Sequence, residues 1–139
     1  EWKRVQWHLE GLGYTVIQVG SNESEECGIH LNTKDNLGSL KFFIAGCDLF
    51  LGIDSSPAGI AMAYNKPCIL MFGSVNPEYI HPNLDNAIVI QQKCVHQNCW
   101  HIVGGTAGKP CVFDELRPPC CVSSTEEVIN AINKMHRYE

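Results

Sequence analysis

The feature that most constrains the fold is a pair of short segments in which almost every residue is apolar. Leu49–Ile53 reads LFLGI and Cys68–Phe72 reads CILMF, and the intervening Ser56–Asn65 has the pattern of a helix. A strand that is apolar on both faces belongs in a parallel sheet that helices cover on both sides. The sequence therefore predicts an α/β fold with a doubly wound, mostly parallel sheet.

The same alternation of helix and strand extends to both sides of this unit. Further helices are predicted at Glu1–Leu12, at Leu37–Gly46 and after a cap at Ser123 or Ser124, and further strands at Tyr14–Val19, Ile29–Leu31 and Ala87–Ile90. A doubly wound unit normally opens with a strand, whereas this chain opens with a helix, so we expect the first strand to be missing. That strand would separate the strand at Tyr14 from the strand at Leu49, which must then pair directly, leave a gap or recruit another strand. Because unpaired strand edges favour association, we expect the isolated chain to be unstable or to form a homo-oligomer.

Length and composition limit the classes of protein to consider. A chain of 139 residues suits one domain, which we expect to span 1–139 with an irregular, cysteine-rich insert at 94–121. The net charge of −5 and the lack of a lysine or arginine cluster argue against a nucleic-acid partner. The apolar runs fall well short of the ~20 residues that a membrane span needs, and no signal peptide is visible. We therefore expect no transmembrane segment and a cytoplasmic location.

The polar turn after LFLGI is the place where we expect a ligand. Ligands of open α/β sheets bind beyond the carboxyl ends of the strands, beside helix N-termini, and Asp54 to Pro57 lie there. In one interpretation Asp54 or Ser55 caps the helix and Pro57 occupies its first turn. A second interpretation adds to the first: backbone N–H groups of Ser55, Ser56 and Ala58 bind a diphosphate. Asp54 would then bond hydroxyl groups of the ligand.

Three motifs follow one another in this part of the chain. They are D-S-S-P-A-G-I-A at 54–61, N-K-P at 65–67, and F-G at 72–73 followed by Pro77. In order and spacing they resemble the C-terminal domain of the family 9 glycosyltransferases, the ADP-heptose:lipopolysaccharide heptosyltransferases. Their pattern is a strand, D-[ST]-G-x-x-H-x-A, a helix, a small residue before K-P, a strand and F-G-x-x-x-P. The likeness covers most of residues 1–93 and also the final helix.

The resemblance implies a GT-B architecture, in which two Rossmann-like domains enclose the active site. The C-terminal domain binds a nucleotide-sugar donor such as ADP-heptose, without an organic cofactor. The N-terminal domain binds the acceptor and supplies the general base of an inverting transfer in lipopolysaccharide biosynthesis. This chain would then be the donor-binding half of a longer protein, with no catalytic residue of its own and no transferase activity alone.

The resemblance also assigns residues to the donor. It places Asp54, Ser55, Ser56 and Gly59 among the donor-binding residues, with Ser56 at the position of the family's glycine and Gly59 at that of its histidine. That histidine is expected beside the diphosphate, so its replacement puts the usual donor in doubt. A degenerate, non-catalytic module that serves as a scaffold is therefore the alternative function.

Loops further from this turn are expected to meet the rest of the donor. Glu23 or Glu25 resembles the family's ribose-binding position, although a solvated acidic loop is the competing interpretation. Gly73 lies in a loop expected near the base, and His81 follows the F-G-x-x-x-P loop, where a ligand contact is one interpretation. Lys66 is interpreted as a cation at the C-terminus of a helix rather than as a phosphate ligand.

The cysteines raise a separate question, because five of the eight lie at 94–121. Four thiolates in tetrahedral geometry suit zinc or iron. The preferred ligands are Cys94, Cys99, Cys111 and Cys120, with Cys121, His96 or His101 as substitutes. Reduced thiols and disulfides are the alternatives, and a small protein that chiefly binds a structural metal is a third candidate function. In the family that the chain resembles, one subgroup similar to autotransporter heptosyltransferases holds an iron with four cysteines of this region.

Overall fold

Helices and strands alternate along the residues that the computed structural model describes, which are 1–20, 27–33, 36–81, 83–100, 111, 120 and 123–137. The helices are α1 (Trp2–Gly11), α2 (Leu37–Gly46), α3 (Ser56–Ala63), α4 (Pro77–Ile80) and α5 (Thr125–His136). The strands are β1 (Ile17–Gly20), β2 (Ile29–Asn32), β3 (Phe50–Ile53), β4 (Cys68–Phe72) and β5 (Ala87–Gln91). The sequence does not predict α4, which is too short for a periodic pattern. None of the described helices is long and apolar enough to cross a membrane.

Strand β1 begins at Ile17, later than the predicted strand at Tyr14–Val19. The reason is the way in which α1 ends. Gly13 takes the left-handed conformation at φ 94°, and the N–H of Tyr14 donates to the carbonyl of Leu9 (3.1 Å). This turn is a Schellman motif. It holds Tyr14 at the end of the helix and delays the start of the strand.

The described strands form two parallel sheets. One has the order β3-β4-β5, and the other consists of β1 and β2. Phe50 of β3 lies opposite Cys68 of β4, which lies opposite Ala87 of β5. Ile17 of β1 lies opposite Ile29 of β2. Strands β1 and β3 do not pair with each other, so of the three expected outcomes a gap between them is the one found among the described strands.

Helices cover both faces of the three-stranded sheet, which confirms the α/β class. Successive residues of β4 pack towards opposite layers, and all are buried. Cys68, Leu70 and Phe72 pack with residues of α2 and α3. Ile69 and Met71 pack with residues of α1 and α5. Strand β4 is therefore the centre of a three-layer αβα fold.

The two-stranded sheet lies between the same two helical layers. Tyr14 and Val16, which lead into β1, pack against the cluster built on α1 and α5. Val19 of β1 packs against the cluster built on α2 and α3. Both sheets therefore belong to one central layer, although they are not hydrogen-bonded to each other.

Glycine is required at one point of this smaller sheet. Gly28 has φ 66°, and a Cβ added to it would overlap the carbonyl oxygen of Val16. The same carbonyl accepts a hydrogen bond from the N–H of Ile29 (2.9 Å). The close approach that begins the pairing of β2 with β1 therefore depends on a residue without a side chain.

Candidate functional site

Asp54 lies at the carboxyl end of β3, where the sequence predicts the site. Its backbone N–H donates to the carbonyl of Met71 (3.2 Å), so the bonding between β3 and β4 continues one residue beyond the end of β3. Its side chain is 31 % exposed. The sheet thus holds the backbone of Asp54 in place and leaves its carboxylate within reach of a ligand.

The N-terminus of α3 follows directly. Ser55 occupies the N-cap position and Pro57 lies in the first turn, as predicted. No described side chain caps this helix, because Ser55 Oγ donates to the carbonyl of Ile53 (2.9 Å) instead of accepting from a first-turn N–H. The first N–H groups of a helix have no partner inside the helix. Since Ser55 and Ser56 are exposed, this positive end of the helix dipole is open to an anion.

Ala58 and Gly59, two other predicted ligand contacts on α3, differ in how far they are exposed. Ala58 is fully buried, at 0 % exposure, so the prediction that its N–H meets a ligand is wrong. Gly59 is half-buried, and its N–H donates to the carbonyl of Ser55 (3.1 Å). A Cβ added to Gly59 would meet no atom within 4 Å. Gly59 therefore leaves open space beside the first turn, and the N–H groups offered to a ligand reduce to those of Ser55 and Ser56.

The structure brings His81 to Asp54. His81 follows α4 and is 8 % exposed. Its Nε2 lies 3.7 Å from Oδ1 of Asp54. Its ring meets that of Phe72 edge to face, with centroids 5.9 Å apart. The candidate contact at His81 therefore lies against the predicted donor-binding carboxylate.

Gln91 holds the loop that follows β4, and the sequence analysis missed it. Its Nε2 donates to the carbonyls of Gly73 and Val75, both at 2.8 Å. Its Oε1 accepts from Nε2 of Gln97 (3.0 Å). Gly73, a predicted donor-binding residue, therefore has its carbonyl engaged within the protein. The signal that identifies Gln91 is its place as a polar residue at the carboxyl end of the apolar AIVI strand.

Of the remaining predicted contacts, only Lys66 lies among the described residues. Glu23 and Glu25 lie outside the described residues. Lys66 lies just beyond α3, at the end opposite to Asp54, and its N–H donates to the carbonyl of Ala61 (3.0 Å). Its position suits the interpretation of Lys66 as a cation near the C-terminus of a helix.

Two shallow depressions lie elsewhere, beside α5. One, of about 390 Å³, includes Pro67, Asp85 and Lys134 in its lining. The other, of about 400 Å³, is lined by residues of α5 and by Arg137. Pro67 and Asp85 precede β4 and β5, so the first depression lies at the amino ends of these strands. Because ligands of open α/β sheets bind at the carboxyl ends, we assign the site to the corner at Asp54.

The cysteines of β4 and of the end of α2 serve packing. Cys68 is fully buried, and burial together with the neighbouring Cys47 raises its pKa to about 11. Burial also raises the pKa of Cys47. The two thiols donate to the carbonyls of Lys66 and Ile44, each at 3.1 Å. Both are therefore protonated at neutral pH and belong to the packed interior rather than to a reactive site.

The predicted metal ligands Cys94, Cys99, Cys111 and Cys120 all lie among the described residues. Within those residues, no group of three or more histidine, cysteine, aspartate or glutamate side chains is arranged to hold a metal ion. The substitutes Cys121 and His101 lie outside the described residues. The structural zinc or iron stays a prediction, which elemental analysis of the purified protein tests.

Comparison with known proteins bears on this geometry. The family model of glycosyltransferase family 9 (heptosyltransferase) matches residues 1–105. Lipooligosaccharide heptosyltransferase 2 of Haemophilus influenzae is 33 % identical over 82 residues, which cover 59 % of this chain and 24 % of that protein. The crystal structure of the family 9 glycosyltransferase of Veillonella parvula resembles the chain with a TM-score of 0.72 at 20 % identity.

The share of each relative that this chain covers limits what the likeness shows. The structural match includes 100 % of this chain but 42 % of the Veillonella chain, and at that identity it shows the fold. The chain spans about a quarter of the curated relative. The family match extends over β1 to β5 and the turn at Asp54. The predicted resemblance is therefore confirmed, and this chain belongs to glycosyltransferase family 9.

Proposed function

We propose that this chain binds the nucleotide-sugar donor of a glycosyl transfer reaction at the carboxyl end of β3. The observation that carries the proposal is the accessible carboxylate of Asp54 beside a helix N-terminus that no described side chain caps. A nucleotide sugar offers the complementary groups, since its diphosphate is anionic and its sugar carries hydroxyls. Membership of family 9 supports the reaction class.

The two parts of the corner take different parts of the donor. The N–H groups of Ser55 and Ser56 bind diphosphate oxygens, where each hydrogen bond to a charged group contributes about 1.5–3 kcal/mol. The dipole of α3 adds about 0.3–1 kcal/mol. A carboxylate in contact with a diphosphate is repelled, so Asp54 bonds a sugar hydroxyl instead. Gly73, at the same edge of the sheet, and Glu23 or Glu25 complete the proposed contacts to the base and the ribose.

Binding at this corner assists the departure of the leaving group. In an inverting transfer the acceptor hydroxyl attacks the anomeric carbon, and the bond from that carbon to the diphosphate oxygen breaks. The hydroxyl proton passes to a general base, and the nucleoside diphosphate leaves with added negative charge. A fixed helix N-terminus stabilises charge that develops there. The general base and the acceptor site belong, in this proposal, to the N-terminal domain of the parent protein, so residues 1–139 bind the donor without turning it over.

The proposed donor is ADP-heptose or a close analogue. The name of the Haemophilus relative supports heptosyl transfer to a lipooligosaccharide. The finer choice of nucleotide and sugar depends on loops that include Glu23 and Glu25. A direct comparison of ADP-heptose with UDP-glucose therefore tests the nucleotide and sugar together. A cytoplasmic location stays a prediction from the sequence.

Calorimetric titration of the full-length protein with ADP-heptose tests the site. Asp54→Ala removes the acceptor of the sugar hydroxyls, and we expect the dissociation constant to rise at least tenfold, equivalent to about 1.4 kcal/mol. Asp85→Ala is the matched control, because Asp85 is exposed and lies before β5, at the other end of the sheet. Equal affinity of the Asp54→Ala variant and the wild type would contradict the proposal.

The second candidate function, a non-catalytic scaffold, rests on Gly59. The first turn of α3 offers no imidazole there, and the adjacent space is open. Gly59→His places a donor group beside the proposed diphosphate without a steric clash at Cβ. We expect this variant to bind ADP-heptose more tightly than the wild type. If neither protein binds any nucleotide sugar and the full-length protein shows no turnover, the scaffold function is supported.

A further inference from the structure

His81 carries an unusual combination of burial and lack of a partner. The residue is 8 % exposed, and its Nε2 is buried without a hydrogen-bond partner among the described residues. Buried polar atoms in folded proteins are almost always hydrogen-bonded, so such an atom needs an explanation. A purely packing role would be filled better by an apolar ring.

The described contacts of His81 identify Asp54 as the neighbour that Nε2 can bond. On one side the ring packs edge to face against Phe72. The backbone N–H of His81 donates to the carbonyl of Pro77 (2.9 Å), which holds the residue at the end of α4. Nε2 faces Asp54, whose Oδ1 is 3.7 Å away. That separation is just too long for a hydrogen bond, which forms at 2.7–3.2 Å. A small rotation of the Asp54 side chain closes it.

We propose that His81 is the positioning residue for Asp54 when the donor binds. One carboxylate oxygen of Asp54 accepts from Nε2–H of His81, while the other accepts from a sugar hydroxyl of the donor. His81 acts through Asp54, because Nε2 is itself buried and the Asp54 side chain is the more exposed of the two. The inference rests on the proposed donor site and adds a residue that the family motif around 54–61 does not contain.

The physical advantage of this arrangement is preorganisation. A carboxylate at 31 % exposure can rotate among conformers. A hydrogen bond from an imidazole to a carboxylate is charge-assisted on the acceptor side and short. It selects the conformer that faces the ligand, so less freedom is lost on binding. The bond to Asp54 then gives Nε2 the partner that it lacks among the described residues.

Substitution of His81 in the full-length protein tests the proposal with ADP-heptose as the probe. His81→Phe keeps an aromatic ring against Phe72 and removes Nε2, and we expect about tenfold weaker binding. His81→Gln supplies an amide N–H close to the position of Nε2, and we expect it to restore most of the affinity. His30→Phe is the matched control, since His30 also has a buried, unpartnered Nε2 but lies on β2. We expect His30→Phe to leave the affinity unchanged.

A double-mutant cycle separates positioning from structural support. In the Asp54→Ala background, His81→Phe should cause no further loss of affinity, because the group through which it acts is gone. An equal loss in both backgrounds would overturn the proposal. If Asp54→Ala weakens binding and His81→Phe does not, only the role of His81 fails. If Asp54→Ala has no effect, the proposed donor site itself fails.

A measurement on the wild type guards against variants that fold poorly. The imidazole ¹H–¹⁵N correlations of His81 report which ring nitrogen carries a proton and whether it is hydrogen-bonded. On addition of ADP-heptose we expect Nε2 to be protonated and its resonance to shift, while the ring resonances of His30 stay in place. An unshifted His81 resonance at saturating ADP-heptose would overturn the proposal.

Discussion

The two sheets of this molecule differ in how completely they are built. In the three-stranded sheet every residue of β4 is buried. In the two-stranded sheet neither β1 nor β2 contains a fully buried residue, and Ile17 and Ile29 are 45 % and 55 % exposed. Both sheets contain β-branched residues and lie between the same helical layers, so composition does not explain the difference. Its cause is the number of neighbours, because β4 has a strand on each side whereas β1, among the described strands, pairs with β2 alone.

The comparison shows what a local helix–strand pattern can and cannot build. A parallel strand is buried by two neighbouring strands and two helical layers together. The segment from β3 to β5 supplies the three strands and α3 from adjacent sequence, while α1, α2 and α5 complete the two helical layers from elsewhere in the chain. Asp54 lies at the carboxyl edge of this sheet. Binding residues are held best on such elements. Among the described strands, β1 is paired on one side only. Because unpaired edges favour association, we expect the isolated chain to be unstable or oligomeric.

The largest expected effect on stability is in the three-stranded sheet. Leu70→Ala removes a fully buried side chain from the middle of β4. We expect the free energy of unfolding to fall by about 2–5 kcal/mol, the cost of lost burial and of the cavity left behind. Denaturant titration of the purified protein measures it. Ile29→Ala, on the exposed strand β2, is the control, and an equal loss from both would contradict the comparison.

The next effect should be confined to the smaller sheet. Gly28→Ala brings a Cβ onto the carbonyl oxygen of Val16 and places alanine at a positive φ, a conformation that costs about 1–2 kcal/mol before the overlap is counted. Hydrogen exchange should show lost protection at Ile29 while amides of β4 keep theirs. Gly11→Ala is the control, because a Cβ there meets no atom within 4 Å. Equal loss of protection across both sheets would show that they unfold as one unit.

A smaller effect is expected at α5, which covers the three-stranded sheet. Ser124 Oγ accepts from the N–H of Glu127 (3.2 Å), and Glu127 Oε2 accepts from the N–H of Ser124 (2.9 Å), a capping box. Ser124→Ala should lower stability by about 1 kcal/mol in thermal unfolding. Ser123→Ala is the control, since Ser123 is the other cap that the sequence offers. If Ser123→Ala lowers the stability and Ser124→Ala does not, the assignment of Ser124 as the cap is contradicted.

This cap also predicts a pH dependence. Hydrogen bonds from Gln92, and then from the backbone and hydroxyl of Ser124, lower the pKa of Glu127. A carboxyl whose pKa is lower in the folded state stabilises the protein above its unfolded pKa. That stabilisation is lost as the pH falls through the folded pKa. The difference in stability between wild type and Ser124→Ala should therefore be larger at neutral pH than in acid, and a difference that grows in acid would contradict the assignment.

Much of the three-stranded sheet follows from its sequence. Strand β4 has the predicted bounds because Pro67 precedes it and Gly73 follows it, and both limit a run of apolar residues. Helix α2 also has the predicted bounds. The predicted start of β1 is too early, because the backbone of Tyr14 is used to end α1. Local composition shows where a strand is favoured, whereas backbone hydrogen bonds determine where it begins.

The candidate site follows from the sequence only in part, for a related reason. A strand, a polar turn and a helix in succession place Asp54 and Ser55 at the carboxyl edge of the sheet. The same pattern does not show that Ser55 Oγ turns back to Ile53. It also does not show that His81 reaches Asp54 or that Gln91 holds the next loop. Those last contacts join residues far apart in the chain, and only the packed fold brings them together.

The most direct test of the central claim is the position of the donor in the full-length protein. A crystal structure with ADP-heptose should show the diphosphate at the N–H groups of Ser55 and Ser56, with a sugar hydroxyl on Asp54. A nucleotide bound instead in the depression lined by Pro67, Asp85 and Lys134, with the corner at Asp54 empty, would contradict the account.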